Sequence, residues 1–251
     1  CLLSRGLGDV YKRQILLNGL DAFDPKVVNV DEDKQVINEL RRLVCRPIGV
    51  NLEPVDKTAT MSEEKLNIVE GRQASSKTVK ALEKLGINFI CMTGNPGTGV
   101  TNDKIVNAIS ETRKHFTGLI IAGKMHSAGV DEPVITETYV DQFIDAGADI
   151  ILVPSIGTVP GFDEEQLKNI VKAVHRREGL VMSAIGTSQE SSDPSTIRDF
   201  AIRNKICGVD IQHIGDAGYC GLAPVNNIFE LSKAIRGERH TVSMIARSIQ
   251  R

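Results

Sequence analysis

Seven short apolar runs punctuate the chain, and each ends in a cluster of Gly, Asn, Ser, Thr or charged residues before a helical stretch begins. They are Ile15-Leu-Leu-Asn-Gly, Pro47-Ile-Gly-Val-Asn-Leu-Glu53, Asn88-Phe-Ile-Cys-Met-Thr-Gly94, Gly118-Leu-Ile-Ile-Ala-Gly-Lys124, Asp149-Ile-Ile-Leu-Val-Pro-Ser155, Leu180-Val-Met-Ser-Ala-Ile-Gly186 and Val209-Asp-Ile-Gln-His-Ile-Gly215. Apolar runs without polar alternation suit strands buried on both faces, which means a parallel sheet covered by helices. Polar residues that collect at the end of each strand lie where a closed βα barrel carries its chemistry. The fold class that follows is α/β, a (βα)8 barrel with seven of its eight strands in view.

The intervening stretches carry the matching helical pattern. Residues 31–44 place Val36, Ile37, Leu40 and Val44 on one face, and 75–85 repeat this with Val79, Leu82 and Leu85. Residues 101–115, 136–146, 162–177, 195–204 and 223–236 supply the later helices. Gly86, Gly147 and Gly208 each stand between a helix and the strand that follows, as helix-terminating glycines do. Residues 54–71 form a longer polar excursion, read as an inserted loop rather than a lid. No linker-like segment divides the chain, so residues 15–251 read as one domain.

Residues 1–14 stand apart. They have neither the apolar core of a signal peptide nor a helical period, and they run without a turn into Ile15. They read as a translation of adapter sequence, which places the first βα unit of the barrel outside this chain. On that reading the two strands flanking the gap are unpaired edges that invite association, so a homo-oligomer is an expected partner state.

Composition excludes several function classes. A net charge of −2 and the absence of a Lys/Arg block offer nothing to nucleic acid, and with no Trp and few Tyr and Phe there is no stacking platform for bases. No apolar run approaches the roughly 20 residues of a membrane span. The five cysteines lack a C-x-x-C pairing, which fits reduced thiols and a cytoplasmic location. The expected partner is a small-molecule metabolite.

The candidate chemistry lies at the strand ends. Lys124 and His126 close the run Ile121-Ala-Gly-Lys-Met-His. A lysine there is poorly explained as core and can bind an anion, carry a proton or form an imine with a carbonyl. His126 shares that face as a proton carrier or ligand. Glu53, with Asn51 on the same strand face, is a candidate base or lysine partner. Asn18, Asp21, Thr93, Asn95, Ser155 and Thr158 are further candidates for lining the mouth.

Two sets of glycines suggest anion sites. Gly94-Asn-Pro-Gly-Thr-Gly-Val-Thr101 matches a P-loop at Gly94, Gly99 and Thr101 but has Val100 where the phosphate-binding lysine belongs. What survives is an anion nest around Asn95 and Gly97 or a tight strand-to-helix turn. The last two loops follow the strands after which barrels hold phosphate, with Gly186, Thr187, Ser188, Gly215 and Gly218 as the cradle and Asp216 to orient a hydroxyl, a lysine or a metal. Cofactors stay open. A divalent metal is the one candidate, on Glu53, His126, His213 and Asp216, and no metal-binding spacing joins them.

Taken together, Ile15-Leu-Leu-Asn-Gly, Arg46-Pro-Ile-Gly-Val-Asn-Leu-Glu-Pro54, Thr93-Gly-Asn-Pro-Gly-Thr-Gly-Val-Thr-Asn102 and Ile121-Ala-Gly-Lys-Met-His126 resemble a bacterial family of single TIM barrels to which no reaction is assigned. Some members are labelled haloacid dehalogenase-like hydrolases. Such hydrolases use D-x-D-x-[TV] at a strand end, and the nearest stretch here, Asp31-Glu-Asp-Lys-Gln35, lacks the Thr or Val and opens a helix. The expected function is an enzyme acting on a small, phosphorylated metabolite by lyase, aldolase-like or isomerase chemistry. Lys124 would be central and Glu53 and His126 its proton-transfer partners. The alternatives are a metal-assisted hydrolase and a barrel that binds a metabolite without turning it over.

Overall fold

The computed structural model describes residues 14–28, 30, 35–60, 66–186, 188–215 and 223–246. Strands and helices alternate along them: β1 (Ile15–Leu17), α1 (Val36–Val44), β2 (Ile48–Leu52), α2 (Ser76–Lys84), β3 (Phe89–Met92), α3 (Asn102–Arg113), β4 (Leu119–Gly123) and α4 (Glu137–Ala146). Then come β5 (Ile150–Pro154), α5 (Glu164–Arg176), β6 (Leu180–Ala184), α6 (Pro194–Cys207), β7 (Ile211–His213), α7 (Val225–Arg236) and α8 (Glu238–Ala246). Every expected strand is present. The helix α8, with only Thr241 buried, was not anticipated.

The seven strands pair in chain order and all in parallel, with β1 and β7 at the edges. Alternate residues serve two different cores. Ile48, Val50, Leu52, Ile90, Met92, Ile120, Ala122, Ile151, Val153 and Val181 pack outward with the helices. Phe89, Cys91, Ile121, Ile150, Leu152, Met182 and Ala184 form a separate inner cluster, and Leu16 of β1 and Ile211 of β7 both pack against it. Residues from the two edge strands meet one inner cluster because the sheet curls. This is the βα barrel architecture with one unit absent from the ring, and it accounts for apolar runs that show no alternation.

The helices begin and end where local chemistry dictates. Ser75, Thr101, Thr136, Asp163 and Asp193 each accept a hydrogen bond from a first-turn N–H, and Asp163 with Gln166 completes a capping box. In α1 the four expected residues, Val36, Ile37, Leu40 and Val44, are the buried ones. The D-x-D stretch at 31–34 lies outside the described residues.

The excursion after β2 is stitched down rather than free. Glu53 pairs in parallel with Gln73, and Val55 pairs antiparallel with Val100. Asp56 N–H donates to Gly99 O at 3.0 Å and Leu66 N–H to Gly97 O at 2.8 Å. Residues 55, 56 and 66 therefore lie against the glycine-rich loop after β3, and the pairing at Gln73 brings Arg72 back to the end of β2. Among the described residues, no helix is long and apolar enough to cross a membrane.

Candidate functional site

Strand parity decides which polar residues enter the barrel. On β2, Val50 and Leu52 face the helices, so Gly49, Asn51 and Glu53 face inward. Register sets Asn51 beside Cys91 of the inner cluster, and continued one residue past the last pair, Leu52 with Met92, it sets Glu53 beside Thr93. Asn18 follows Leu16 on the inner face of β1.

These residues form one polar layer at the strand ends. Glu53 is 1% exposed. Its Oε1 accepts from Arg72 Nη2 at 2.8 Å and from Asn95 Nδ2 at 2.9 Å, and its Oε2 accepts from the Asn95 backbone N–H at 2.9 Å. Asn95 and Asn18 exchange hydrogen bonds, Asn18 Nδ2 to Asn95 Oδ1 at 3.0 Å and Asn95 Nδ2 to Asn18 Oδ1 at 3.1 Å. Asn51 Nδ2 donates to the same Asn18 oxygen at 3.1 Å. Two buried atoms in this layer have no protein partner: Oδ1 of Asn51, 4% exposed, and Oγ1 of Thr93, 2% exposed. Buried polar atoms are normally paired, so an unpaired pair at a barrel mouth points to something that completes them.

The glycine-rich loop after β3 uses much of its backbone internally. Asn95 N–H goes to Glu53, Thr98 N–H to Asn95 O and Gly99 N–H to Ala128 O. Asn102 N–H, in the first turn of α3, donates to Glu132 Oε1 at 2.8 Å. Protein carboxylates thus occupy two donors that an anion nest would have used. Gly97 and Gly99 have positive φ, as a tight turn requires.

Lys124 follows β4 and is 1% exposed. Its ammonium pairs with Glu132, whose Oε1 is the same oxygen that holds Asn102 N–H. Burial pushes the lysine below its ordinary range, and the Glu132 carboxylate opposes that shift. Gly123 makes this placement possible. Its φ of +144° and the 2.0 Å from an ideal Cβ to Leu152 O exclude any side chain there. Asn102 Nδ2 donates to Pro133 O, while Asn102 Oδ1 is buried without a partner.

His126 and His213 share a local motif. His126 Nδ1 accepts from Ala128 N–H at 3.0 Å and His213 Nδ1 from Gly215 N–H at 2.9 Å. A backbone N–H can only donate, so in the neutral ring the proton sits on Nε2 in both. After β6 and β7, Gly186 borders Met125, and Ser188 and Gly215 adopt positive φ. Thr187, Asp216 and Gly218 lie outside the described residues. Ser155 turns to α6, accepting from Asn204 Nδ2 at 2.6 Å, Thr158 Oγ1 donates to Ser155 O, and Asp21 Oδ1 accepts from Phe23 N–H.

The structure therefore joins Asn18, Glu53 and Asn95 directly and sets Thr93 beside them. Lys124 belongs to a second group with Glu132 and Asn102. Arg72 and Glu132 carry no signal of their role in the sequence: Arg72 ends a short 3-10 turn (Glu70–Arg72) and Glu132 lies in a loop, 19 and 8 residues from their partners. Among the described residues no three His, Cys, Asp or Glu side chains converge as a metal site.

Several solved structures share the fold. A protein from Burkholderia cenocepacia J2315 classed provisionally as a lyase/mutase aligns over 84% of this chain and 72% of its own, at 15% identity and a TM-score of 0.53. A mandelate oxidase mutant carrying the monooxide FMN adduct aligns over 96% of this chain at 15% identity and a TM-score of 0.51, and the chain spans 65% of that protein's length. The Amycolatopsis orientalis BexX/CysO complex aligns over 99% of this chain and 87% of its own, at 11% identity and a TM-score of 0.52. At such identities these likenesses establish the fold alone. No curated protein matches the sequence. One family does, over residues 14–251, and the chain belongs to it: the family described as Domain of unknown function (DUF7916).

Proposed function

We propose that the protein is a barrel enzyme that binds a small, phosphorylated metabolite at the strand C-terminal ends and acts on it by lyase, aldolase-like or isomerase chemistry. The observation that carries this reading is the buried polar layer of Asn18, Asn51, Glu53, Thr93 and Asn95, with two unpartnered atoms where barrel enzymes bind substrate.

In this reading Lys124 and Glu132 are the proton-transfer pair. A desolvated lysine spends more of its time neutral than an exposed one, and the neutral amine is the form that takes a proton or attacks a carbonyl. The adjoining Glu132 carboxylate would receive the ammonium proton and return it. Glu53, held by three donors, would orient the amides that touch substrate, and His126 would be a further proton-transfer partner of Lys124. Gly186, Thr187, Ser188, Gly215, Gly218 and Asp216 would form the anion cradle and its flank. The metal-assisted hydrolase has no converging ligand set in its favour among the described residues.

Borohydride trapping tests the central residue. With pyruvate or dihydroxyacetone phosphate, the neutral amine of Lys124 would add to the carbonyl carbon and expel water. Hydride then reduces the imine to a stable secondary amine. A covalent adduct mapped to Lys124 and lost in Lys124→Met supports imine chemistry. Binding without an adduct, partly retained in Lys124→Arg, supports anion or proton-transfer work. Unchanged binding and turnover in Lys124→Ala removes the lysine from the site.

A further inference from the structure

We infer that the β1–β3 side of the mouth takes a hydroxyl group of the ligand, which donates its proton to Asn51 Oδ1 and accepts one from Thr93 Oγ1. This rests on the proposal that the strand ends form a ligand site, and it specifies what that site reads.

The inference follows from the direction in which the amides must point. Ionised Glu53 can only accept, so the Asn95 amide must turn its nitrogen to Glu53 Oε1, at 2.9 Å. Its oxygen is then presented to Asn18 Nδ2, at 3.0 Å, which in turn leaves the Asn18 oxygen facing Asn51. Asn51 must meet that oxygen with its own nitrogen, at 3.1 Å. Reversing Asn51 would set two carbonyl oxygens against each other, and reversing Asn95 would set one against the carboxylate. The chain from Glu53 to Asn51 therefore has one polarity, and it ends in a buried acceptor, Asn51 Oδ1, with nothing donating to it.

A ligand group that completes this end must be a donor. Phosphate, carboxylate and carbonyl groups present acceptors and would set a second lone pair against Asn51 Oδ1. An ammonium would satisfy Asn51, but Arg72 already neutralises Glu53 at 2.8 Å and leaves no unbalanced negative charge to hold it. A hydroxyl gives one proton and receives another. Thr93 Oγ1, two residues past Cys91, the register partner of Asn51, and so on the same face by strand parity, supplies the second half of that exchange. The substrate class is thus a polyol or sugar derivative whose hydroxyl end enters at β2–β3.

The test is thermal stabilisation of the full chain by matched probes: glycerol phosphate, propyl phosphate (the same anion and carbon count without hydroxyls), aminopropyl phosphate, and phosphate-free erythritol. Glycerol phosphate is expected to bind at least tenfold more tightly than propyl or aminopropyl phosphate. Asn51→Leu and Thr93→Val should each erase that advantage; Thr93→Val removes only an unpaired buried atom and should leave the ligand-free melting temperature unchanged or raised, whereas Asn51→Leu also gives up its hydrogen bond to Asn18 and should lower it slightly. If propyl phosphate binds equally well and neither substitution matters, the hydroxyl assignment is overturned while the anion site stands. Preference for aminopropyl phosphate also overturns it, as does failure of both glycerol phosphate and erythritol to bind, which would leave a structural water as the occupant. Hydroxyl-dependent binding of erythritol, with no turnover and no effect of Lys124→Ala, would uphold the inference and sink the enzyme reading.

Discussion

The end of β2 and the end of β4 each bury a charge, and they do so in opposite ways. Glu53 is surrounded by donors: a guanidinium, a side-chain amide and a backbone N–H. Lys124 has one carboxylate partner, which also serves Asn102 N–H, and burial works against its charge. A fully bonded carboxylate is a fixed point from which neighbouring side chains take their orientation. A lysine with one partner is closer to the balance between its two protonation states. In the proposed function, β2 supplies the rigid, reading side of the mouth and β4 the side where a proton moves.

Substitutions can break this contrast. The largest expected effect is at Gly123, because β4 reaches Lys124 through a conformation closed to other residues. Gly123→Ala should lower stability by about 3 kcal/mol or prevent folding, through positive-φ strain and the collision with Leu152 O. Denaturant unfolding checks this, and a loss under about 1 kcal/mol would show that the β4 end adapts.

Next is Glu53→Ala, which strands Arg72 and two donors of Asn95 and should cost about 3 kcal/mol. A double-mutant cycle with Arg72→Met should show coupling of about 1 kcal/mol or more, since the two side chains are in direct contact. Additive losses would mean the carboxylate does not organise its neighbours.

Lys124→Met should act chiefly on pH dependence. The folded-state value of the lysine lies below its ordinary 10.5, so between the two the unfolded chain binds the extra proton. Stability should therefore rise with pH across that window, while below it the cost of charging a buried lysine is fully present. Lys124→Met should flatten this alkaline rise in melting temperature. A profile identical to wild type would remove the contrast with Glu53.

The smallest effect is a matter of reactivity. Cys91 lies in the inner cluster, and burial pushes its thiol up to about 12. Iodoacetamide at mildly alkaline pH should leave it unmodified in the native state while half-buried Cys45 is labelled before it, as peptide mapping would reveal. Early labelling of Cys91 would mean that the barrel interior opens.

Much of this architecture was legible beforehand, for a physical reason. Strands buried on both faces must be apolar throughout, so Ile120 to Ala122 and Ile150 to Val153 declare themselves regardless of their surroundings. Asn18, Glu53 and Asn95 were legible as strand-end polar residues, because polarity at that point interrupts an otherwise apolar run. Their partners were not. Arg72 closes a single 3-10 turn too short to carry an amphipathic period, and it reaches Glu53 because backbone pairing ties Gln73 to Glu53 and residues 55, 56 and 66 to the β3 loop. Glu132 likewise looks like any loop carboxylate. The glycine-rich loop shows the converse: its composition suggested an anion nest, yet Glu53 and Glu132 occupy two of its prospective donors.

The amino-acid sequence by itself determined the barrel, the order of its strands and the ring of positions where polar side chains enter, since these follow from local periodicity and from glycine and capping chemistry that act over a few residues. Only the tertiary structure decided which of those side chains meet, which way each amide points and which buried atoms are left unpaired. Hydrogen-bond direction is a property of a whole chain of contacts, here running from Arg72 through Glu53, Asn95 and Asn18 to Asn51, and its members come from four separate stretches of the polypeptide.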